Sequence, residues 1–270
     1  MPHLEFPPSD ALKDAVQCFW WHEETHSALG DAHTLQPDSY VELGFHRGET
    51  WLENNDGQLE PLSTVYVLGL QDAPLRLVSK GLTRVFGVRF FAWSGLKLLG
   101  LAGGWTSFQS VVGESLLELS TALLPCLERT SPTEAVALLE PWLLERQGSS
   151  PRIASQAGRM LHDSSGGTRV AELAAMLNVS ERQLERVFQQ SAGASPKTLA
   201  RLIRFQRATE RIHAAPGVHL TSLAFELGYA DQAHFIRDFS AFAGVTPSAF
   251  AAGHGRNVSD LFNALDGTSD

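Results

Sequence analysis

Apolar residues in the second half of the chain recur at helical spacing. In LGYADQAHFIRDFSAFAG, residues 227–244, Phe235, Phe239 and Phe242 stand at i, i+4 and i+7. That spacing predicts a short amphipathic helix with one buried face. SPKTLARLIRFQRATERIH, residues 195–213, places Leu199, Leu202, Ile203, Phe205 and Ala208 among arginines and predicts one long helix. The first half has a different rhythm. QCFWWHEE (17–24), YVELGFH (40–46), TVYVLGL (64–70), LRLVS (75–79) and TRVFGVRFF (83–91) are β-branched and aromatic runs. Gly, Pro, Asn and Asp punctuate them, and NNDG at 54–57 signals a hairpin. Within TRVFGVRF, Val85, Gly87 and Arg89 fall on one face and Phe86, Val88 and Phe90 on the other. Helical patterns follow over 93–100, 114–127 and 133–146.

The expected fold class is therefore α+β with two domains, a β-rich half-barrel with helices followed by an all-α domain. QGSSP at 147–151 reads as the linker. The expected divisions are an effector or dimerisation domain over 1–148, a helical domain over 152–254 and a flexible tail over 255–270.

The helical domain repeats itself. Leu173-Ala174 and Leu177 meet Leu223-Ala224 and Leu227 at an offset of 50. Leu184, Phe188, Gly193 and Ser195-Pro196 meet Phe235, Phe239, Gly244 and Thr246-Pro247 at 51. Each unit is a short helix, a tight turn and a second helix ending before Gly and Ser/Thr-Pro, the layout of a helix-turn-helix. Ser180 with Gln183 forms a capping box, and Asp231 stands at the matching cap of the second unit. With Leu184 and Phe188 buried, Arg182, Glu185, Arg186 and Gln189 face away. The same arithmetic turns Ala233, Ile236 and Arg237 outward, with His234 on the flank.

Charge sharpens the division. Residues 1–154 hold 10 Lys/Arg against 19 Asp/Glu, whereas residues 155–255 hold 10 against 8. A basic excess confined to the helical half points to an anionic partner there. No apolar run approaches the roughly 20 residues of a membrane span. MPHLEFPPSDALKD shows no basic region followed by an apolar one, so no secretory signal is expected. Cys18 and Cys126 stand alone, which fits a reducing cytoplasm and argues against a thiolate metal cluster.

Over residues 153–253 the chain resembles the DNA-binding domain of the AraC/XylS family of bacterial transcription regulators. The resemblance lies in VAELAAMLNVSERQLERVFQQSAGASPKTLARLIRFQRA and LTSLAFELGYADQAHFIRDFSAFAGVTPSAFA. It implies two helix-turn-helix units in consecutive major grooves of promoter or operator DNA, with RNA polymerase as a further partner. Carried over by position, the DNA-binding residues are Ser180, Arg182, Gln183, Glu185 and Arg186 in the first unit. Gln232, Ala233, His234 and Arg237 are those of the second. Arginine can grip guanine O6 and N7 bidentately and Glu185 can accept from a cytosine amino group, whereas Ala233 offers only a methyl contact. Arg201, Arg204 and Arg207 are expected to line the surface of the long helix or to pair with acids rather than to touch DNA.

PDSYVELGF (37–45) and GVRFFAWSGLKLLG (87–100) resemble the cupin-like N-terminal domain of some of these regulators. That implies a small β-barrel holding a small-molecule effector or supporting a homodimer. Trp20, His22, Tyr40, Glu42, Trp51, Arg89 and Trp93 are candidate ligand-binding residues, since aromatic walls with a few polar anchors build such sites. They read equally as core aromatics and satisfied buried polars, with Arg89 and Glu42 as an ion pair. A cupin-type metalloenzyme is one alternative, because His22, His26, His33, His46 and Glu42 could supply ligands; the tight HxH spacing is absent. A protein-interaction adaptor is the other. The expectation is a cytoplasmic, non-enzymatic DNA-binding regulator with no cofactor, no metal and no membrane partner.

Overall fold

The computed structural model describes residues 3–54, 56–101, 108–110, 114–147, 152–215 and 217–254. The expected linker beyond Gln147 and the expected flexible tail at 255–270 lie outside the described residues. The N-terminal half is one antiparallel sheet of β1 (His3–Phe6), β2 (Val16–Leu35), β3 (Tyr40–Glu53), β4 (Leu59–Pro61), β5 (Val65–Leu68), β6 (Leu75–Phe91) and β7 (Phe108–Ser110). The spatial order is β1-β2-β6-β3-β5-β7, with β4 beside β3. The sequence marked two strands at 75–79 and 83–91, but they are one. The run lies between β2 and β3, and pairing on both edges overrides the turn signal of Lys80-Gly81. The turn residues become a bend instead. Register shifts fall between His26 and Asp31 on β2 and between Arg47 and Glu49 on β3, opposite Gly81. Gly48 (φ 133°) and Gly81 (φ 59°) occupy backbone conformations that side chains disfavour, so the three long strands kink along one line. At the expected hairpin, Asn54 Oδ1 accepts from the Asp56 and Gln58 N–H groups and Gly57 takes φ 75°; Asn55 lies outside the described residues.

Alternation divides the sheet into two faces. Phe19, Trp21, Val41, Leu43, Phe45, Phe86, Val88 and Phe90 pack with α2 (Glu114–Arg129) and α3 (Pro132–Glu145). Cys18, Trp20, His22, Glu24 and His26 point to the other face, as do Glu42, Gly44, His46, Val85, Gly87 and Arg89, by the period of two.

The C-terminal half contains α4 (Arg152–Asp163), α5 (Val170–Met176), α6 (Glu181–Ala192), α7 (Pro196–Ala214), α8 (Leu220–Glu226), α9 (Gln232–Ala243) and the turn α10 (Pro247–Ala249). Leu173, Leu184, Phe188, Leu199, Leu202, Phe205, Leu223, Phe235, Phe239 and Phe242 share one core around α7. That core does not stop at the domain boundary, for Leu70, Ala92 and Trp93 of the sheet domain belong to it. The Trp93 ring packs against α4 at Gly158, where a Cβ would come within 1.9 Å of it. His162 of α4 sits among the rings of Tyr40, Phe91 and Trp93, and the Ser39 hydroxyl donates to Gln206 Oε1 on α7 at 2.9 Å. Burial holds the His162 imidazole down at about 4. The first of the N-terminal helices, α1 (Gly95–Leu98), packs beside α6.

Candidate nucleic-acid interface and effector cavity

Both helix-turn-helix units are built by the same local devices. Ser180 Oγ accepts from the Gln183 N–H at 3.2 Å, and Asp231 Oδ1 accepts from the His234 N–H at 2.7 Å. The returning half of the capping box, from the Gln183 side chain, is not made among the described residues. Asn178 (φ 53°) and Gly228 (φ 77°) turn the chain between the helices of each unit, and Gly193 and Gly244 end α6 and α9 with φ near 70°. Ser195 and Thr246 then cap the helices that follow.

On the outer faces, Arg182, Glu185, Arg186, Gln232, Ala233 and Arg237 are exposed, and Gln183 is half-buried. No acid lies within ion-pair distance of Arg182, Arg186 or Arg237 among the described residues. The arginines of α7 behave in the opposite way. Arg201 makes a two-pronged contact with Asp238, at 3.0 Å from Nη2 to Oδ1, and Arg204 donates to the Gly166 carbonyl at 2.7 Å. Arg207 pairs with Glu210 at 2.9 Å and Arg211 with Glu226 at 3.0 Å. The arginines of α7 are thus engaged inside the domain, and those of α6 and α9 are left exposed. His234 is less outward than its flank position suggested: its ring packs edge-on against Tyr229 and reaches Asp238 at 3.9 Å. Gln232 receives a hydrogen bond from Thr221 at 2.8 Å, and Gln189 donates to the carbonyl of Gly193, bracing the end of α6.

The second site lies on the inner face of the sheet. A cavity of about 70 Å³ is bounded by Trp20, His22, Glu24, His26, His33, Glu42, His46, Thr50, Tyr66, Ser79 and Thr83, with Leu35, Leu62, Leu77 and Val85. Gly44 and Gly87 are direct partners across β3 and β6, and each bears an aromatic ring. A Cβ at Gly44 would lie 2.2 Å from the Tyr66 ring and one at Gly87 2.4 Å from the Trp20 ring. The paired glycines therefore let both rings lie on the sheet. Hydrogen bonds join His46 to Thr50 at 3.0 Å, Thr50 to Ser79 at 2.9 Å and His26 to Thr83 at 3.1 Å. Burial alone holds the His46 imidazole down at about 4, and burial also lowers His22 and His33.

Of the seven ligand candidates, Trp20, His22 and Glu42 line this cavity. Arg89 lies on the same face but is committed to Glu42 at 2.8 Å, with Asp38 at 3.7 Å and the Tyr40 ring 5.3 Å away. Burial pushes the Asp38 carboxyl above the ordinary range. Tyr40 and Trp93 belong to the contact with α4, and Trp51 carries Lys80 over its ring at 5.3 Å, away from the cavity. Tyr66, Thr50, Ser79 and Thr83 were not singled out from sequence. The alternation of Trp20, His22, Glu24 and His26 on one strand was the available signal. Among the described residues no three His, Cys, Asp or Glu side chains come together as a metal site, so the metalloenzyme alternative gains no support. No described helix is long and apolar enough to cross a membrane.

A helix-turn-helix domain family matches residues 173–253, and a family described as a domain of unknown function (DUF6597) matches residues 4–103. The Msm operon regulatory protein of Streptococcus mutans is 26% identical over 119 residues, and the match spans 42% of this chain and 42% of that protein. Unsaturated fatty acid-bound ToxT from Vibrio cholerae aligns over 86% of this chain and 94% of its own, with 13% identity and a TM-score of 0.48. The C-terminal domain of AraT, a response regulator from Geobacillus stearothermophilus, aligns over 41% of this chain and 90% of its own at 26% identity and a TM-score of 0.37. The capped helices α6 and α9 thus both lie inside the stretch that matches the helix-turn-helix family, and strands β2 to β6 lie inside the stretch that matches DUF6597.

Proposed function

We propose that this chain binds a promoter or operator duplex by laying α6 and α9 in successive major grooves on one face of the DNA. The observation that carries the reading is the sorting of arginines: those of α7 are paired within the domain, whereas Arg182, Arg186 and Arg237 stand exposed with no acid beside them among the described residues. At about 1.5 Å per residue α7 is roughly 28 Å long, close to the roughly 34 Å between groove openings on one side of B-DNA. One protomer can therefore span two grooves. Arg182, Arg186 and Glu185 are the base readers, Ser180 and Gln183 stand at the helix start, and Gln232, Ala233, His234 and Arg237 dock the second unit. Small-molecule control belongs to the N-terminal domain, over 1–148, with its effector in the inner cavity. A second copy of the chain and RNA polymerase are its macromolecular partners beyond DNA, and the cytoplasm is its compartment. The test is binding of the full chain to a promoter-derived duplex and to random duplex between about 50 and 200 mM salt. A preference for the promoter that persists as salt rises is expected; equal affinity throughout removes the claim of sequence-specific reading.

A further inference from the structure

The inner cavity is electrostatically one-sided. Its lining includes Glu24 and Glu42 and neither lysine nor arginine. The charge of Glu42 is balanced by Arg89 at 2.8 Å. Glu24 has no lysine or arginine within ion-pair distance among the described residues; His22 Nε2 lies at 3.3 Å and His26 Nε2 at 3.9 Å. Burial keeps His22 neutral at neutral pH, so it donates its Nε2–H to Glu24 and its Nδ1 becomes an acceptor. Among the described residues that Nδ1 is buried without a hydrogen-bond partner, in a residue only 5% exposed, and so is Nδ1 of His33. A carboxylate and open imidazole nitrogens together call for a ligand that donates hydrogen bonds and carries positive charge. A carboxylate or phosphate ligand would meet Glu24 in a lining with no lysine or arginine to hold it.

The walls agree. Trp20, seated on Gly87, and Tyr66, seated on its cross-strand partner Gly44, both line the cavity and supply aromatic rings, which attract a cation within about 6 Å of the ring centre. The volume of about 70 Å³ takes on the order of five water-sized groups. We propose that this cavity binds a small primary amine as its ammonium ion, with Glu24 as the anionic anchor and Trp20 and Tyr66 as the aromatic bed. The proposal rests on the reading of the N-terminal domain as the sensor.

The test is calorimetric titration of the full chain, free of DNA, near neutral pH with butylamine, butan-1-ol and butyrate, three probes of one length and different charge. Butylamine is expected to bind saturably and at least about tenfold more tightly than the alcohol, with butyrate not competing. Glu24→Gln is expected to weaken butylamine about tenfold and leave the alcohol unchanged. Butyrate binding as tightly as the amine, absence of saturable amine binding, or unchanged amine affinity in a folded Glu24→Gln protein would overturn the proposal. The wild-type series decides alone if the variant does not fold. Because no DNA is present, a negative result removes the amine and leaves operator binding, measured separately, standing.

Discussion

The two helix-turn-helix units share a scaffold and differ in what they present. Their buried positions are interchangeable: Leu184 and Phe188 in one, Phe235 and Phe239 in the other, all essentially inaccessible to solvent. Their outer positions are not. Arg182, Glu185 and Arg186 face out from α6, whereas the matching places on α9 hold the exposed Ala233 and Arg237 and the half-buried Ile236, which packs against the core. The unit poorer in polar readers is also tied more firmly to the rest of the domain, because Asp238 takes Arg201 where the first unit has the apolar Val187. Burial constrains shape, so both copies keep it. Only the exposed face was free to diverge, and it carries two arginines and a glutamate in one unit but a single arginine in the other.

The largest test of a common scaffold is truncation of its anchors. Phe188→Ala and Phe239→Ala should each cost about 3–5 kcal/mol in denaturant unfolding, since both rings are fully enclosed. A loss confined to one of them would show that the copies are not equivalent supports.

Acid should strike both units together, because both hang from the α4–α7 platform that docks on the sheet through His162. The His162 and His46 imidazoles are held down at about 4 by burial, below their ordinary 6.5. Between those values the unfolded chain binds protons that the folded one does not. Stability is therefore complete above the upper value and is lost as pH falls towards the lower. The slope is up to about 1.4 kcal/mol per pH unit for each histidine. Hydrogen exchange should show amides of α6 and α9 losing protection in parallel across this window, and His162→Gln should flatten the trend. Protection lost from one helix alone would break the shared-platform account.

Function should separate what stability cannot. Arg186→Ala is expected to cost about 1–3 kcal/mol on the preferred duplex and to relax one base position. Arg237→Ala should weaken preferred and random duplexes alike and reduce the salt slope by about one. If Arg237 instead relaxed a base position and Arg186 did not, the roles assigned to the two helices would be reversed. The smallest effect lies at the caps: Ser180→Ala and Asp231→Ala should each cost about 1 kcal/mol in thermal unfolding. Asp231 should cost slightly more, because its charge also meets the positive end of the helix dipole. A larger loss at Ser180 would count against that ordering.

The repeat, its turns and its caps were legible because they are local. A helix face is set by residues three and four apart, and a cap by a side chain three residues from its N–H. The strands were legible for the same reason, down to the two faces of Val85–Phe90, yet their joining into β6 was not. A turn signal such as Lys80-Gly81 gives way when both neighbouring strands can pair across it.

The candidate ligand residues divided along the same line. Trp20, His22 and Glu42 converge, while Trp51 and Trp93 go elsewhere, because composition names aromatic and polar types but not the layer each one enters. Trp93 left for the α4 contact because Gly158 leaves room for its ring. Tyr66, on a short strand that reads as plain core, reached the cavity through the gap at Gly44. By itself, then, the sequence determined the doubled helix-turn-helix, its caps and its outward arginines, all consequences of spacing within one segment. The tertiary structure alone decided which arginines are neutralised, where the cavity lies and how the domains join. Those outcomes depend on side chains far apart in the chain, whose meeting is settled by packing and pairing across the whole fold.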